Sequence, residues 1–341
     1  MPLRTVSKRS INSPTNLLDY AKAGKMPNEV PRTTELGDGI TAIDTDHLRP
    51  LFDASHLIQE GTRAAFVDTG ANSSVPLLLA ALAQNSTDPA DIDYVFLTHV
   101  HLDHAGGAGL LMQALPNARA VLHPRGAPHM IDPAKLTRGA QAVYGEEKFA
   151  AEYGDIVPID ADRIIVVDNE QEISLNGRAM RCIYTEGHAR HHYVLSDPQS
   201  QGVFTGDSFG LSYRELDTAK GEFIYPTTTP VHFDPPEAHK AIDLIMSLHP
   251  AQLFLTHYSR VTDLPRLADD LHKRIDDFVE IAKRHAGDEE RTRSMHENMY
   301  AYFTDELAIH GFTGSIDQIH AIVEIDVGLN TMGLEFWLDH Q

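Results

Sequence analysis

The sequence predicts an α/β (α+β) protein that ends in a helical C-terminal extension. Three observations predict it. Between Ile40 and His123 short apolar strands alternate with helix-like stretches, and from Ile164 to Thr256 strands dominate. Beyond His257 the apolar period changes from two to about 3.6 residues.

Taken in order, residues 1–34 are polar and carry prolines at 14, 27 and 31, so they read as an N-terminal arm. An arm of this kind often packs on a second copy, which makes a homodimer one expected assembly. Thr41–Thr45 and Ala64–Asp68 read as short strands joined by a connection, the second running into a Thr69-Gly70 turn. Val75–Ala83 reads as a helix behind Ser73-Ser74, ended by the breaker Asn85–Pro89. Tyr94–Leu97 is a buried strand, Leu110–Leu115 a helix and Ala120–His123 a strand. Ala127–Tyr153 is irregular, with helix only around Glu146–Tyr153. Strands follow at Ile164–Val167, Glu172–Ser174, Met180–Tyr184, Tyr193–Leu195, Val203–Thr205 and Gln252–Thr256, with Asn176-Gly177 as a hairpin turn. In the tail, Leu264, Leu267, Leu271, Ile275 and Phe278 recur at helical spacing up to a stop at Gly287. A second helix covers about 289–309, and Ser315 with Gln318 forms a capping box ahead of a third. The expected organisation is therefore an arm over 1–34, a main domain over 35–260 and helices over 261–341 that pack on it.

Composition limits the partners. With 49 acidic against 28 basic residues, the formal charge of −21 repels a nucleic-acid backbone or an anionic membrane, so neither is expected as a partner. The single cysteine, Cys182, excludes an intramolecular disulfide and a cysteine-based zinc knuckle, and core filling is its expected role. The first ten residues lack the apolar run of a secretory signal, and no stretch of about 18 apolar residues occurs, so a cytoplasmic protein is expected.

Chemistry concentrates in Thr98–Gly107, where His99, His101, Asp103 and His104 crowd the end of an apolar strand. His99 and His101 can project to one side of an extended segment, whereas adjacent Asp103 and His104 diverge unless the backbone turns, a pattern that suits two metals better than one. Imidazoles with a carboxylate are ligands for zinc, iron or manganese and poor ones for calcium. With 20 histidines in 341 residues, a solvated polar loop is the plain alternative. Against it, later strands also end in such residues: His188 after Tyr184, Asp207 after Val203–Gly206, and His257 after Gln252–Thr256. Scattered surface histidines would not recur at strand ends. His191 and His192 follow His188 at helix-like or turn spacing, so one is expected to support the site and the other to be exposed, with neither assigned as a ligand, and Arg125 reads as an ordinary salt-bridge partner.

The His-x-His-x-Asp-His motif, with His188, Asp207 and His257 downstream, resembles the metallo-β-lactamase-fold superfamily, in particular its glyoxalase II-like and flavodiiron-like members. The resemblance covers roughly Gly37 to Tyr258. It implies a four-layer αβ/βα sandwich with metals in a cleft along one edge of the two sheets. By matching positions, His99, His101 and His188 would hold one metal, Asp103, His104 and His257 the other, and Asp207 would bridge them. Asp68 would orient the ligand loop. Two divalent ions are implied, zinc foremost, with iron or manganese as alternatives.

The implied activity is a binuclear metal-dependent hydrolase acting on a small-molecule ester-like bond, thioester, lactone or phosphodiester, through a water activated by both ions. Asp103 and Tyr258 are the candidate catalytic side chains. Asp103 lies where the nucleophile forms without having to act as a base. Tyr258, next to His257, would be an oxyanion donor or leaving-group acid, as would Tyr193, and core packing is the plainer role for both. In flavodiiron proteins a glutamate usually stands where this chain has His101, and a flavin-binding domain follows, which turns the resemblance toward hydrolases. Two alternatives remain: a mononuclear iron persulfide dioxygenase-like enzyme, and a signalling or binding protein with residual hydrolysis.

Overall fold

The computed structural model describes residues 30–228 and 230–341. Most of the expected arm thus lies outside the described residues, and Thr33–Gly37, at its end, is already a strand.

The first sheet is built from β1 (Thr33–Gly37), β2 (Ile40–Asp44), β3 (Ala54–Glu60), β4 (Arg63–Val67), β5 (Ile92–Phe96), β6 (Arg119–Leu122) and β7 (Ile164–Val166), in that spatial order. Its first four strands are antiparallel and β4 to β7 are parallel. The second sheet runs β13 (Ser259–Val261), β12 (Gln252–Leu255), β11 (Gly202–Gly206), β10 (Tyr193–Asp197), β9 (Arg178–Tyr184) and β8 (Gln171–Leu175). β8 and β9 meet at Asn176-Gly177, where both residues have positive φ, as the expected tight hairpin requires.

Period-two alternation sorts the strand residues into layers. Val67, Phe96, Leu195, Phe204 and Phe254 point between the sheets, where Phe204 and Phe254 stack with centroids 4.7 Å apart. Their neighbours Phe66, Val95 and Leu97 point the other way, onto helices α1 (Val75–Gln84) and α3 (Ala108–Ala114). Between these helices lies a single turn, α2 (Leu102–Ala105). On the far side Val203, Leu253 and Leu255 meet a helical layer made of α7 (Pro235–Ser247), α8 (Leu264–His285), α9 (Arg291–His310) and α10 (Ile316–Asp339). The result is helix, sheet, sheet, helix: the four-layer sandwich with C-terminal helices. Cys182 fills the core between the sheets, and burial pushes its thiol up to about 12.

Three segments depart from expectation. The connection after β2 contains β3, whose polar Ser55 and His56 are buried with its apolar residues and hide the alternation. The irregular segment after β6 holds α4 (Ala127–Ile131), α5 (Ala134–Tyr144) and α6 (Glu146–Glu152). No residue of α5 is fully buried: Leu136, Ala140 and Tyr144 form a narrow stripe that packs only half-buried. Helix α7 starts where Asp234 accepts from the Glu237 N–H. The remaining tail helices stand where expected, and Ser315 and Gln318 cap α10 reciprocally.

Candidate metal centre

Strand ends deliver the chemistry. His99 and His101 lie just past β5, and the turn α2 swings Asp103 and His104 to the same side, with His104 N–H bonded to His101 O at 3.1 Å. The two adjacent residues therefore converge. His188 lies on the loop after β9, Asp207 follows β11 and His257 follows β12. Glycines permit two of these approaches. At Gly187 (φ +107) a Cβ would come within 2.4 Å of the Ala238 nitrogen, and at Gly206 (φ +48) within 2.6 Å of His192 Nε2.

The structure brings all seven residues together as two groups that could each hold an ion: His99, His101, His188 and Asp207, and Asp103, His104 and His257. Within the first, His99 Nε2 is 2.8 Å and His188 Nε2 3.1 Å from His101 Nδ1. Asp207 lies between the groups, with Oδ2 3.3 Å from His188 Nε2 and Oδ1 3.2 Å from His104 Nε2. Asp103 Oδ2 is 3.4 Å from His257 Nε2.

Four of the five rings are oriented from behind. His104 Nδ1 meets Asp68 Oδ2 at 2.8 Å, His257 Nδ1 meets Phe52 O at 2.9 Å, His188 Nδ1 meets Thr227 O at 3.4 Å and His99 Nδ1 meets Thr98 Oγ1 at 3.2 Å. These contacts leave the opposite nitrogens of the four rings facing inward, the arrangement that fixes the tautomer of a ligating histidine. His104 Nε2 and Asp207 Oδ1 are buried and, although close, make no hydrogen bond among the described residues. Buried polar atoms without partners are costly, and a bound cation would satisfy both.

Charge follows the same division. Burial, then His188, push His101 down to about 3. Burial also opposes charge on His257, but Asp103 and Asp207 outweigh it and hold the ring up to about 9. His104 is likewise raised against burial by Asp207, Asp103 and Asp68. The carboxylates thus draw positive charge into the Asp103 group, and divalent ions can supply it in place of protons. Donor set, ring orientation and unpaired atoms all fit a metal pair.

His191 and His192, left unassigned, are structural, and the candidate donors Tyr193 and Tyr258 face away from the seven residues. His192 accepts the Asp207 N–H on Nε2 at 3.2 Å and faces the Thr185 and Ser208 hydroxyls with Nδ1, so it holds the Asp207 turn. His191 stacks on His99 with centroids 6.1 Å apart. Tyr193 donates to Val121 O at 2.9 Å inside the sandwich. Tyr258 is buried, and its strongest electrostatic neighbours are Asp44, Arg32, Asp53 and Arg214, none of them among the seven. Arg125 pairs with Glu186 at 3.0 Å.

Sequence reasoning missed a polar wall beside Asp103. His47 Nε2 and both oxygens of Asp53 are buried without a hydrogen-bond partner among the described residues. Burial raises the Asp53 carboxyl well above its usual range. Tyr144 and Tyr153, from the segment read as irregular, pack ring against ring near Asp103 with centroids 5.8 Å apart, and burial holds both phenols protonated. Their placement depends on loops from both ends of the first sheet meeting, which no local pattern announces.

A sequence profile of the metallo-β-lactamase superfamily matches residues 48–257. A metallo-β-lactamase fold-containing protein of Sulfurisphaera tokodaii is 35% identical over 145 residues, 41% of this chain and 51% of its own length. The atrochrysone carboxyl ACP thioesterase of Aspergillus fumigatus is 26% identical over 155 residues, 45% of this chain and 39% of its own. A β-lactamase-like protein 2 homologue of Drosophila melanogaster is 26% identical over 207 residues, 60% of this chain and 57% of its own. The chain thus spans about half the length of the curated relatives it matches. Among solved structures, an archaeal metallo-β-lactamase superfamily protein from Sulfolobus tokodaii superposes with a TM-score of 0.62 at 23% identity, over 87% of this chain and 98% of that one. A metallo-β-lactamase family protein from Thermus thermophilus gives 0.59 at 18%, over 90% and 95%. The superpositions show the shared sandwich, and with the profile running from the loop before β3 to His257, this chain belongs to the metallo-β-lactamase superfamily.

Proposed function

We propose that the protein is a binuclear metal-dependent hydrolase of a small ester-like substrate, with a thioester the foremost class and a lactone or phosphodiester next. The observation that carries the reading is the position of Asp207, whose two oxygens reach His188 in one group and His104 in the other. His99, His101 and His188 would hold one ion, Asp103, His104 and His257 the second, with Asp207 shared. Zinc fits the donor set, as do iron and manganese.

Once bound, such a pair supplies a water ionised near neutral pH and polarises the oxygen of the scissile group. The protein's own groups do the rest. Asp103, a quarter exposed, and His101, also part-exposed, mark the face of the centre open to substrate. His47, Tyr144 and Tyr153 flank that face as hydrogen-bonding groups able to orient a carbonyl oxygen. The Asp68, Phe52 and Thr227 contacts keep the rings from turning as charge develops. The thioesterase relative supports the thioester class.

The test is metal content of protein purified without added metal, paired with hydrolysis of a thioester, a lactone and a bis-aryl phosphodiester. Near two equivalents of metal, with turnover abolished by His101→Ala, is the expected result. About one equivalent of iron with oxygen uptake on a persulfide and no hydrolysis would overturn it.

A further inference from the structure

Away from the metal centre, α7 and α8 each carry the spacing His-x-x-x-Asp, as His239 with Asp243 and His272 with Asp276. Residues four apart lie on one face of a helix, and here the two faces meet. They pair crosswise. His239 Nε2 is 3.2 Å from Asp276 Oδ1, and His272 Nε2 is 3.3 Å from Asp243 Oδ1. The two rings are nearly parallel, 9° apart with centroids at 4.9 Å, and meet edge to edge with their Nδ1 atoms 2.6 Å from each other.

Tautomer chemistry makes this arrangement informative. A carboxylate oxygen beside Nε2, hydrogen-bonded to it at His239, favours the tautomer with its hydrogen on Nε2, and that tautomer presents a bare lone pair at Nδ1. Two lone pairs at 2.6 Å repel unless a cation lies between them. We propose that His239 and His272 form a second, peripheral site for a divalent transition-metal ion such as zinc, bound through both Nδ1 atoms with water completing the shell.

Imidazole pairs suit zinc, copper and nickel. A carboxylate behind each ring is the arrangement that raises ligand basicity. The formal charge of −21 further concentrates cations at the surface. Metal–nitrogen bonds of about 2.0–2.1 Å at a tetrahedral ion place the nitrogens roughly 3.3 Å apart, so the rings must part by about 0.7 Å. Both side chains are a little over a quarter exposed and free to do so. The bound ion would staple α8 to α7. This site is independent of the hydrolase reading.

The experiment is equilibrium dialysis of the full chain against fixed free zinc, followed by elemental analysis. Wild type is compared with His239→Ala/His272→Ala and with Asp243→Asn/Asp276→Asn. Wild type should take one equivalent more than the double alanine variant and gain thermal stability that the variant does not. The asparagine pair should bind this ion about 10–100-fold more weakly. Zinc should also protect His239 and His272 of the wild type from diethylpyrocarbonate, read by peptide mass spectrometry, a measurement that needs no folded variant. Equal zinc content of wild type and the double alanine variant, or no protection, would overturn the proposal and leave a shared proton between the rings.

Discussion

Asp68 Oδ2 lies 2.8 Å from His104 Nδ1, and the same carboxylate accepts the Thr98 N–H at 2.9 Å and the Thr256 hydroxyl at 2.9 Å. Thr98 follows β5 of the first sheet and Thr256 follows β12 of the second. One buried side chain thus ties together the ends of two strands, in different sheets, that carry the candidate metal ligands. Asp68→Ala leaves several buried donors unpaired, and a loss of about 3–5 kcal/mol in stability is expected. Zinc affinity should fall about 10–100-fold with it. Urea denaturation of metal-stripped protein reads the first effect, and competition with a chromogenic chelator reads the second. An unchanged zinc affinity would show that His104 does not depend on Asp68.

Asp207 is expected to separate one-ion from two-ion behaviour. In Asp207→Ala the contacts to His188 and His104 are lost together. Metal content should drop to one equivalent or less, and hydrolysis by more than about a hundredfold, since a shared ligand matters at least as much as its supports. A variant that keeps two tightly held ions would remove Asp207 from the bridging position.

His56 gives a pH dependence separate from the metal centre. It is buried against Phe204 and Phe254, with Ser259 Oγ at 3.4 Å, and burial pushes its ring down to about 4. In the unfolded chain an ordinary histidine titrates near 6.5. Between these values the unfolded state binds more protons than the folded one, so stability is full above about 6.5 and falls as pH drops toward 4. The span corresponds to about 3 kcal/mol. His56→Phe removes the titrating ring, and its stability should fall less steeply from pH 7 to pH 4.5 than that of the wild type. Parallel pH profiles would refute the assignment.

The parts of the molecule that a sequence reader can find are those where local pattern and tertiary role agree. β5, β11 and β12 are runs of apolar residues that end abruptly in His or Asp, and the sandwich uses those ends as the wall of its centre. Tail helix α8 shows its buried stripe in Leu264, Leu267, Leu271, Ile275 and Phe278. Where role and pattern part, the reading stops. β3 buries Ser55 and His56, and α5 half-buries only the narrow stripe Leu136, Ala140 and Tyr144. His47 and Asp53 acquire their meaning from the loops that enclose them. The symmetry of His239 and His272 likewise exists only once α7 lies beside α8.

Asn330 on α10 shows how the tail reaches the centre. Its Oδ1 accepts the Thr228 N–H at 2.6 Å and its Nδ2 donates to Pro226 O at 3.4 Å, while the neighbouring Thr227 O faces His188 Nδ1. The C-terminal helix therefore braces the segment that orients one ring of the first group. Asn330→Leu fills similar space but leaves the Thr228 N–H buried and unpaired, a cost of about 1–3 kcal/mol. If the brace acts through Thr227, the variant should also lose affinity for the ion held by His99, His101 and His188, with the second ion retained. Stepwise zinc removal by a graded chelator series distinguishes the two. Loss of stability with both affinities unchanged would confine Asn330 to packing.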